Sequence, residues 1–227
     1  MPKDEKSTYP ASHEFWERCI LETIDGGIPA KWRESVFDTG NELALEFVEG
    51  LPGQGDVLDF GCGLGRNALA LAKRGFHVFV ADVVGVAVRY CEERAYEAGL
   101  DELHSVGYDG RELELPNRSV DGILAWSCLD HVTLAHAGKL AAEIERVARP
   151  GSLLLVSFDE DRSDDPESEC RVLEDGTHQY YGGRRAGMLF RPYTNEEIRG
   201  LFEGGWEAVR WEGDNATVPR RALYRRE

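Results

Sequence analysis

The sequence predicts an α/β fold: a doubly wound, mostly parallel sheet of seven strands with helices on both faces and an N-terminal helical cap. Three observations predict it. Strand-like apolar segments alternate with helix-like segments through the middle of the chain, a glycine-rich turn follows the first strand, and two more strand-like segments close the chain. Such alternation builds βαβ units with right-handed crossovers, which set the strands parallel.

The predicted core runs from the first strand to the fifth. Its strands are expected at 56–60, 76–81, 104–107, 121–126 and 152–158, and its helices at 65–74, 85–98 and 134–148. The first of these helices is apolar on every face over residues 68–72. A helix of that kind is expected near the centre of the sheet, where neighbours cover all its sides.

Less regular segments flank this core. About ten polar residues begin the chain and are expected to be loose. Two turn signals stand out after the core: Asp175–Gly176 predicts a hairpin within 170–190, and Thr194 with Glu197 forms a helix capping box. The remaining predictions are helices at 12–24 and 41–50, a solvated acidic loop at 159–169, a helix to about 203, and strands at 206–211 and 222–225.

The charge balance argues against a polyanionic partner. The 227 residues include 26 basic and 42 acidic side chains, a formal net charge of −16. Nucleic-acid binding rests on Lys and Arg that neutralise phosphates. The arginines at 220–221 and 225–226 could form a local basic patch, but solvated ends of a last strand are the favoured interpretation. No nucleic-acid partner is expected.

Cysteine usage and the polar N-terminus indicate the compartment. Five cysteines lie without any C-x-x-C spacing, and no apolar run approaches membrane-spanning length. A chain without a disulfide framework or an apolar leader is expected to be cytoplasmic, with no membrane partner. Nothing in the sequence fixes an oligomeric state.

The glycine-rich turn points to a nucleoside ligand. Gly61, Gly63 and Gly65 follow a buried strand that ends on Asp59, and glycines at such a turn let a ligand approach the backbone. Arg66 stands where a dinucleotide fingerprint would place its last glycine. The turn is therefore expected to hold a nucleoside without a pyrophosphate, although a tight strand–helix connection would also use these glycines.

Carboxylates end three successive predicted strands: Asp59, Asp82 and Asp109. Ligands of open α/β sheets bind outside the carboxyl ends of the strands, so all three acids would edge one crevice. Asp82, about 20 residues beyond the glycines, suits the two hydroxyls of a ribose. An acidic rim favours the positively charged S-adenosylmethionine over the pyrophosphate of NAD. Asp109 could instead be a turn residue before Gly110.

Five ordered blocks carry a family resemblance. They are Val57–Gly65, Asp82, Asp109 ahead of 115–121, Leu129–Val132 and Arg149–Leu155. Over about residues 40–158 the chain resembles class I S-adenosylmethionine-dependent methyltransferases, which implies a Rossmann-like sheet and S-adenosylhomocysteine as the cofactor product. Residues 27–32 are similar to branches that act on small molecules, and Val83–Val84 depart from the usual polar pattern.

The resemblance implies a role for each matching position. Asp59, Gly61, Gly63 and Gly65 would hold the methionine portion, Asp82 the ribose, Asp109 with Gly110 the adenine, and the backbone near Ser127 the methionine end. The implied organisation is one methyltransferase domain over 1–227, divided into a helical cap or lid (1–50), the cofactor-binding core (51–158), an acidic loop and hairpin that cover the substrate (159–193), and a C-terminal helix and strands (194–227).

Methyl transfer needs a base only where the acceptor must lose a proton. His131, just after the fourth strand, is the candidate base, since the imidazole pKa lies near neutrality; the alternative is a packing or polar-lining role. Cys128 is expected to be a buried thiol. No spacing of His and Cys suggests zinc, so no metal is expected.

The acceptor is expected to be a small molecule held by segments added to the core. Candidate substrate-binding residues are Trp32 and Phe37, in an N-terminal lid with Trp16, and Tyr180, Tyr181, Arg184 and Arg185 in the hairpin. The aromatic residues could instead pack a satellite core, and the arginines a solvated tip. Two rival classes stay open: a non-catalytic S-adenosylmethionine-binding module and an NAD-dependent oxidoreductase, the latter opposed by Arg66.

Overall fold

The computed structural model describes residues 5–160, 168–213 and 220–227, with the backbone alone at 5–10, 30 and 31. Its helices are α1 Glu5–Asp25, α2 Ala30–Arg33, α3 Glu42–Glu49, α4 Arg66–Ala72, α5 Gly85–Glu97, α6 Leu134–Val147 and α7 Asn195–Leu201. Its strands are β1 Asp56–Phe60, β2 His77–Ala81, β3 Leu103–Ser105, β4 Val120–Trp126, β5 Ala148–Phe158, β6 Cys170–Val172, β7 His178–Tyr180, β8 Leu189–Phe190, β9 Trp206–Glu212 and β10 Arg220–Arg226.

Seven of the strands form the main sheet, in the order β3-β2-β1-β4-β5-β10-β9. Strands β3, β2, β1, β4 and β5 run parallel to one another. Strand β10 lies between β5 and β9 and is antiparallel to both. The chain moves outward from β1 through β2 to β3 and then returns to β4 on the other side of β1. The order therefore reverses between β1 and β4, which is where open α/β sheets bind ligands. The predicted α/β fold class is confirmed.

Buried apolar side chains cover both faces of the sheet. On one face α3 and α4 supply Phe47 and Leu71, which pack with Leu155 of β5. On the other face α6 supplies Ile144, which packs in a cluster with Phe158 and residues of α7. Because both faces are covered, the central strands are nearly continuous runs of buried apolar residues.

The N-terminal helix and the hairpin extend beyond their predicted limits. Residues 5–10 are helical and not loose, because α1 begins at Glu5, seven residues before the predicted start. Helix propagation through polar residues costs little once an anchored turn has formed. The predicted hairpin pairs β6 with β7, and β8 adds a third strand that the two-residue pattern of 189–190 was too short to predict.

Arg220 contradicts the expectation of a solvated strand end. Its side chain is 2% exposed, and its guanidinium donates to the carbonyl oxygen of Tyr193. The cause is the position of β10 inside the sheet, where Arg220 pairs with Phe158 of β5. Most of the predicted acidic loop, residues 161–167, lies outside the described part of the chain. Among the described helices, none combines the length and apolarity needed to cross a membrane.

Candidate active site

The glycine turn connects β1 to α4 and needs glycine for two different reasons. Gly61, Gly63 and Gly65 have φ angles of 72°, 52° and 72°, which side chains rarely tolerate. A Cβ on Gly61 would lie 2.7 Å from Cβ of Cys128, and one on Gly65 would lie 2.4 Å from Sγ of Cys91. A Cβ on Gly63 would meet no described heavy atom within 4 Å. Gly63 therefore borders open space, as the predicted ligand site requires.

Asp82 is held directly against this turn. It follows β2, and its Oδ2 accepts from the backbone N–H of Gly63 at 2.9 Å while Oδ1 accepts from Val84 at 2.9 Å. Burial raises the pKa of the Asp82 carboxyl, and the two backbone donors oppose that rise. Asp82, which directly follows β2, therefore lies next to the glycine that faces open space, as expected for an acid at a strand end.

Asp59 is a buried acid with unused hydrogen-bonding capacity. The residue is 2% exposed, and its Oδ2 has no hydrogen-bond partner among the described residues. Burial raises the pKa of the carboxyl to about 7; Asp82 adds to the rise, and the Ala68 amide and Arg66 oppose it. A buried polar atom without a partner is rare in native proteins and fits a donor or cation supplied by a ligand.

Asp109 occupies a different environment from the other two acids. It is exposed, and its Oδ1 accepts from the backbone N–H groups of Arg111 and Glu112, both at 2.9 Å. These two donors hold the pKa of the carboxyl below its usual value. Gly110 beside it is buried and has a φ of 86°. The geometry is that of a turn-capping residue, and an adenine contact by Asp109 or Gly110 stays a prediction.

Ser127 marks the end of β4 with an uncommon backbone conformation. Its φ is 50°, a left-handed value that costs a non-glycine residue on the order of 1 kcal/mol and is frequent at functional sites. Its N–H donates to Oγ of Ser157 at 2.9 Å, and its own Oγ donates to Oδ1 of Asp159 at 2.9 Å. The next residue, Cys128, lies close to Gly61, so the β4 end and the glycine turn border the same space.

His131 lies in a short 3-10 turn, Leu129–His131, that follows this loop. Its Nδ1 is 3.1 Å from the carbonyl oxygen of Leu189. Because a carbonyl only accepts, this contact places the proton of the neutral ring on Nδ1 and leaves a lone pair on Nε2. Nε2 is 4.0 Å from Oδ1 of Asp130, and the ring is 4.6 Å from the ring of Trp16.

Asp130 and Asp159 are acids at this site that the sequence reasoning missed. Asp130 is fully buried; its Oδ2 accepts from the N–H of Asp159 at 2.7 Å, and its Oδ1 has no described hydrogen-bond partner. Burial raises the pKa of Asp130, and His131 opposes that rise. Potential ligand atoms of Asp130, His131 and Asp159 lie within 4.8 Å of one another. Asp159 directly follows β5, so the strand-end rule could have identified it.

The N-terminal helix α1 covers this side of the crevice. Phe15 packs with Tyr180, Met188 and Phe190, which joins α1 to the small three-stranded sheet. At the other flank, Nε2 of His13 is 3.0 Å from the carbonyl oxygen of Val83, which follows Asp82. Trp16 lies between these contacts, against His131. Sequence reasoning named Trp16 but missed His13, because a single histidine on a helix gives no positional signal.

The predicted substrate residues divide between core and surface. Phe37 is 4% exposed and packs in the core with α3, so it does not line the crevice. Tyr180 is buried in the satellite cluster under α1, and Arg185 donates to its hydroxyl at 3.2 Å. Tyr181 and Arg184 are exposed. Trp32 lines a cavity together with Arg66. A role in substrate binding stays a prediction for all of these residues.

Comparisons with known proteins agree with this geometry. Residues 57–151 match the family model of a methyltransferase domain. The chain is 35% identical over 157 residues to an S-adenosyl-L-methionine-dependent Diels-Alderase of Talaromyces variabilis (63% of this chain, 52% of the relative). It is 28% identical over 169 residues to a fatty-acid O-methyltransferase of Mycolicibacterium smegmatis (70% and 57%). The chain thus spans about half the length of these curated relatives.

A solved structure shows the same fold. The 1,6-didemethyltoxoflavin-N1-methyltransferase of Burkholderia thailandensis, solved with 1,6-didemethyltoxoflavin and S-adenosylhomocysteine, superposes with a TM-score of 0.69 at 20% identity, over 95% of this chain and 90% of that one. The resemblance inferred from the sequence is confirmed to this extent: residues 57–151 match a methyltransferase domain, and the fold is that of a solved methyltransferase. The predicted cofactor, S-adenosylmethionine, agrees with the name of the Talaromyces relative and with the S-adenosylhomocysteine bound in the Burkholderia structure.

Proposed function

We propose that this chain transfers a methyl group from S-adenosylmethionine to a small-molecule acceptor by in-line displacement. One observation carries the proposal: Asp82 is hydrogen-bonded to Gly63, whose missing side chain opens onto free space, and the buried Asp59 of the preceding strand has one oxygen without a described partner. A carboxylate on each side of a bare backbone suits a ligand that has ribose hydroxyls at one end and an ammonium group at the other.

The residues present fit this cofactor and fit NAD poorly. The Asp59 oxygen without a partner would accept from the methionine ammonium, and Asp82 from the ribose hydroxyls. A pyrophosphate would instead have to lie near two carboxylates, where like charges repel. Arg66 takes the place of the last fingerprint glycine. These points oppose the oxidoreductase alternative.

S-adenosylmethionine supplies a methyl group on a positively charged sulfur: the acceptor's lone pair forms the new bond to carbon, while the carbon–sulfur electron pair stays on sulfur. Where the acceptor atom carries a proton, Nε2 of His131 would take it, because Nδ1 is engaged by the Leu189 carbonyl. The Oδ1 atom of Asp130, 4.0 Å from Nε2, would stabilise the resulting imidazolium. Asp130 is thus a positioning residue.

Helix α1 would exclude water from the proposed active site. Trp16 covers His131, and the apolar cluster around Phe15 fixes the helix to the small sheet. A covered site protects the sulfonium from water and strengthens the electrostatic contacts within it. These contacts support the proposal that α1 acts as a cap and that the small three-stranded sheet covers the substrate.

An acceptor screen tests the proposal. The chain is incubated with S-adenosylmethionine and a panel of small phenols, carboxylates, amines and thiols, and methylated product and S-adenosylhomocysteine are quantified by mass spectrometry. The proposal expects the two products in equal amounts with at least one acceptor. Cofactor binding without consumption across the panel would contradict it.

His131→Gln tests the base with an acceptor that carries a proton. We expect kcat to fall by roughly 10²–10⁴-fold with little change in KM, since the general base acts on the chemical step. His104→Gln is the matched control, because His104 is exposed on β3, at the edge of the sheet. Equal rates in both variants would assign His131 to packing instead.

One observation favours a second candidate function for this chain. The Talaromyces relative is named as an S-adenosyl-L-methionine-dependent Diels-Alderase, so a similar domain serves a reaction other than methyl transfer. The alternative is therefore an S-adenosylmethionine-binding protein that does not consume its ligand. In the screen it would bind the cofactor tightly, yield no S-adenosylhomocysteine, and leave His131→Gln without effect on cofactor affinity.

A further inference from the structure

A cavity outside the predicted cofactor crevice lies between α4, α5 and the segment that connects α1 to α2. Its volume is about 380 Å³, within the range of roughly 300–1,000 Å³ typical of small-molecule sites. It is lined by Ile24, Gly27, Ile28, Trp32, Arg33, Leu64, Arg66, Leu69, Tyr90 and Arg94. None of the residues predicted to bind the cofactor belongs to this lining.

The lining combines an apolar body with a cationic rim. Six of its side chains are aliphatic or aromatic, three are arginines, and none is acidic. This is unusual in a chain with 42 acidic and 26 basic residues, where a random patch would be expected to carry more acids than bases. An apolar cavity with convergent positive charge is complementary to an organic anion.

Two of the three arginines, Arg33 and Arg94, keep donors for such a ligand. Arg33 donates through Nε to the carbonyl oxygen of Ile28 at 2.7 Å, and Arg94 donates through one terminal nitrogen to Glu97 at 3.2 Å. A guanidinium has five N–H donors, so each of these contacts uses only part of its capacity. Arginine also pairs with carboxylates in a bidentate way, which gives specificity for that group.

We propose that this cavity binds a small organic carboxylate with an aromatic or aliphatic body. The body would lie against Trp32, Tyr90 and the aliphatic residues, and the carboxylate would be held by Arg33 and Arg94. The lining reaches Leu64 of the glycine turn but contains none of the predicted cofactor-binding residues, and the proposal does not depend on methyl transfer. Trp32, predicted from the sequence as a substrate residue, would contact this ligand.

Calorimetric titration with 2-naphthoate and with the neutral, similarly shaped 2-naphthamide tests the charge requirement. We expect 2-naphthoate to bind at least tenfold more tightly than 2-naphthamide, with its affinity unchanged by saturating S-adenosylhomocysteine. Equal affinity for the two probes would overturn the proposal. Displacement of 2-naphthoate by S-adenosylhomocysteine would also overturn it, by placing the probe in the crevice.

Two pairs of variants locate the site. Trp32→Ala should weaken 2-naphthoate at least tenfold, whereas Tyr96→Ala removes an exposed aromatic outside the cavity and should have no effect. Arg94→Gln should weaken 2-naphthoate but not 2-naphthamide, and Arg89→Gln, the same change on the same helix outside the lining, should weaken neither. Circular dichroism confirms folding of each variant. Equal losses within either pair would contradict the assignment.

Discussion

Asp59 determines much of the electrostatics of the crevice at the scale of single residues. Its carboxyl is 2% exposed, one oxygen has no described partner, and burial raises its pKa to about 7. In the unfolded chain the same group has a pKa of 3.8. Between about pH 4 and pH 7 the folded chain therefore holds a proton that the unfolded chain has lost. The stability of the ligand-free protein should fall over this window and level off above it.

The folded, ligand-free chain favours the protonated form of Asp59. A bound cation should favour the ionised form instead, because an ammonium group attracts a carboxylate. We predict that S-adenosylmethionine affinity rises with pH from about 5.5 to 7 and then flattens, by up to roughly tenfold per pH unit below the pKa. Asp59→Asn should bind more weakly at pH 7.5 and lose this dependence. The measurement is the dissociation constant against pH for both proteins; parallel pH profiles would contradict the role of Asp59.

The sequence predicted the placement of acids beside the glycine turn where a strand end coincides with its acid, and their role in binding a cofactor stays a prediction. Asp59 and Asp82 lie at or directly after the ends of β1 and β2, and both border the glycine turn. Asp109 lies four residues beyond the end of β3 at Ser105, and its carboxylate accepts from the local backbone N–H groups of Arg111 and Glu112, so its adenine contact stays a prediction. Asp159 follows β5 directly but was assigned to an acidic loop, since charge runs usually indicate solvent exposure.

The glycine turn is the element on which the proposed cofactor site depends. Gly61 and Gly65 are required by packing against Cys128 and Cys91, whereas Gly63 borders open space. Substitutions at the three positions should therefore separate folding from binding. The spacing of glycines in the sequence predicts the turn, but only the packing distinguishes which glycine faces the ligand.

Gly63→Ala should leave the chain folded and weaken S-adenosylmethionine at least tenfold, because its Cβ would occupy the space expected for the ligand. Gly75→Ala is the matched control: it has a φ of 87°, no described atom within 4 Å, and the same backbone penalty of roughly 1–2 kcal/mol. Thermal unfolding and calorimetric titration of both variants provide the comparison. If both bind alike, the ligand does not approach Gly63.

The cover formed by α1 shows what element patterns alone do not predict. The sequence predicted a helix over 12–24 from Phe15, Cys19 and Ile20, and the helix exists. Its docking against the small three-stranded sheet and α5 depends on contacts between segments far apart in the chain, such as His13 with Val83. Such long-range contacts leave no periodic signal in one sequence, so the lid could be proposed but not positioned.

At the scale of the whole molecule, the net charge of −16 distinguishes between the cofactor and its product. S-adenosylmethionine carries a sulfonium charge that S-adenosylhomocysteine lacks. A negatively charged protein attracts a cation over roughly the Debye length, about 10 Å at 0.1 M salt, and this attraction is screened as salt rises. The same field would repel nucleic acids, whose absence as partners stays a prediction from the composition.

We therefore predict that the association rate of S-adenosylmethionine falls several-fold between about 20 and 200 mM NaCl, while that of S-adenosylhomocysteine changes little. Stopped-flow fluorescence of the tryptophans measures both rates on one sample. The neutral product serves as the internal control for effects of salt on the protein itself. An equal salt dependence for both ligands would show that the overall charge plays no part in recognition.

The central claim is that the crevice between Gly63, Asp59 and Asp82 binds S-adenosylmethionine. Calorimetric titration with S-adenosylmethionine, S-adenosylhomocysteine and NAD tests it most directly, on the wild-type chain, Asp82→Ala, and Asp101→Ala as an exposed-acid control. The account predicts micromolar binding of the first two ligands, none of NAD, and a loss of at least tenfold in Asp82→Ala alone. Binding of NAD, or undiminished binding by a folded Asp82→Ala protein, would contradict it.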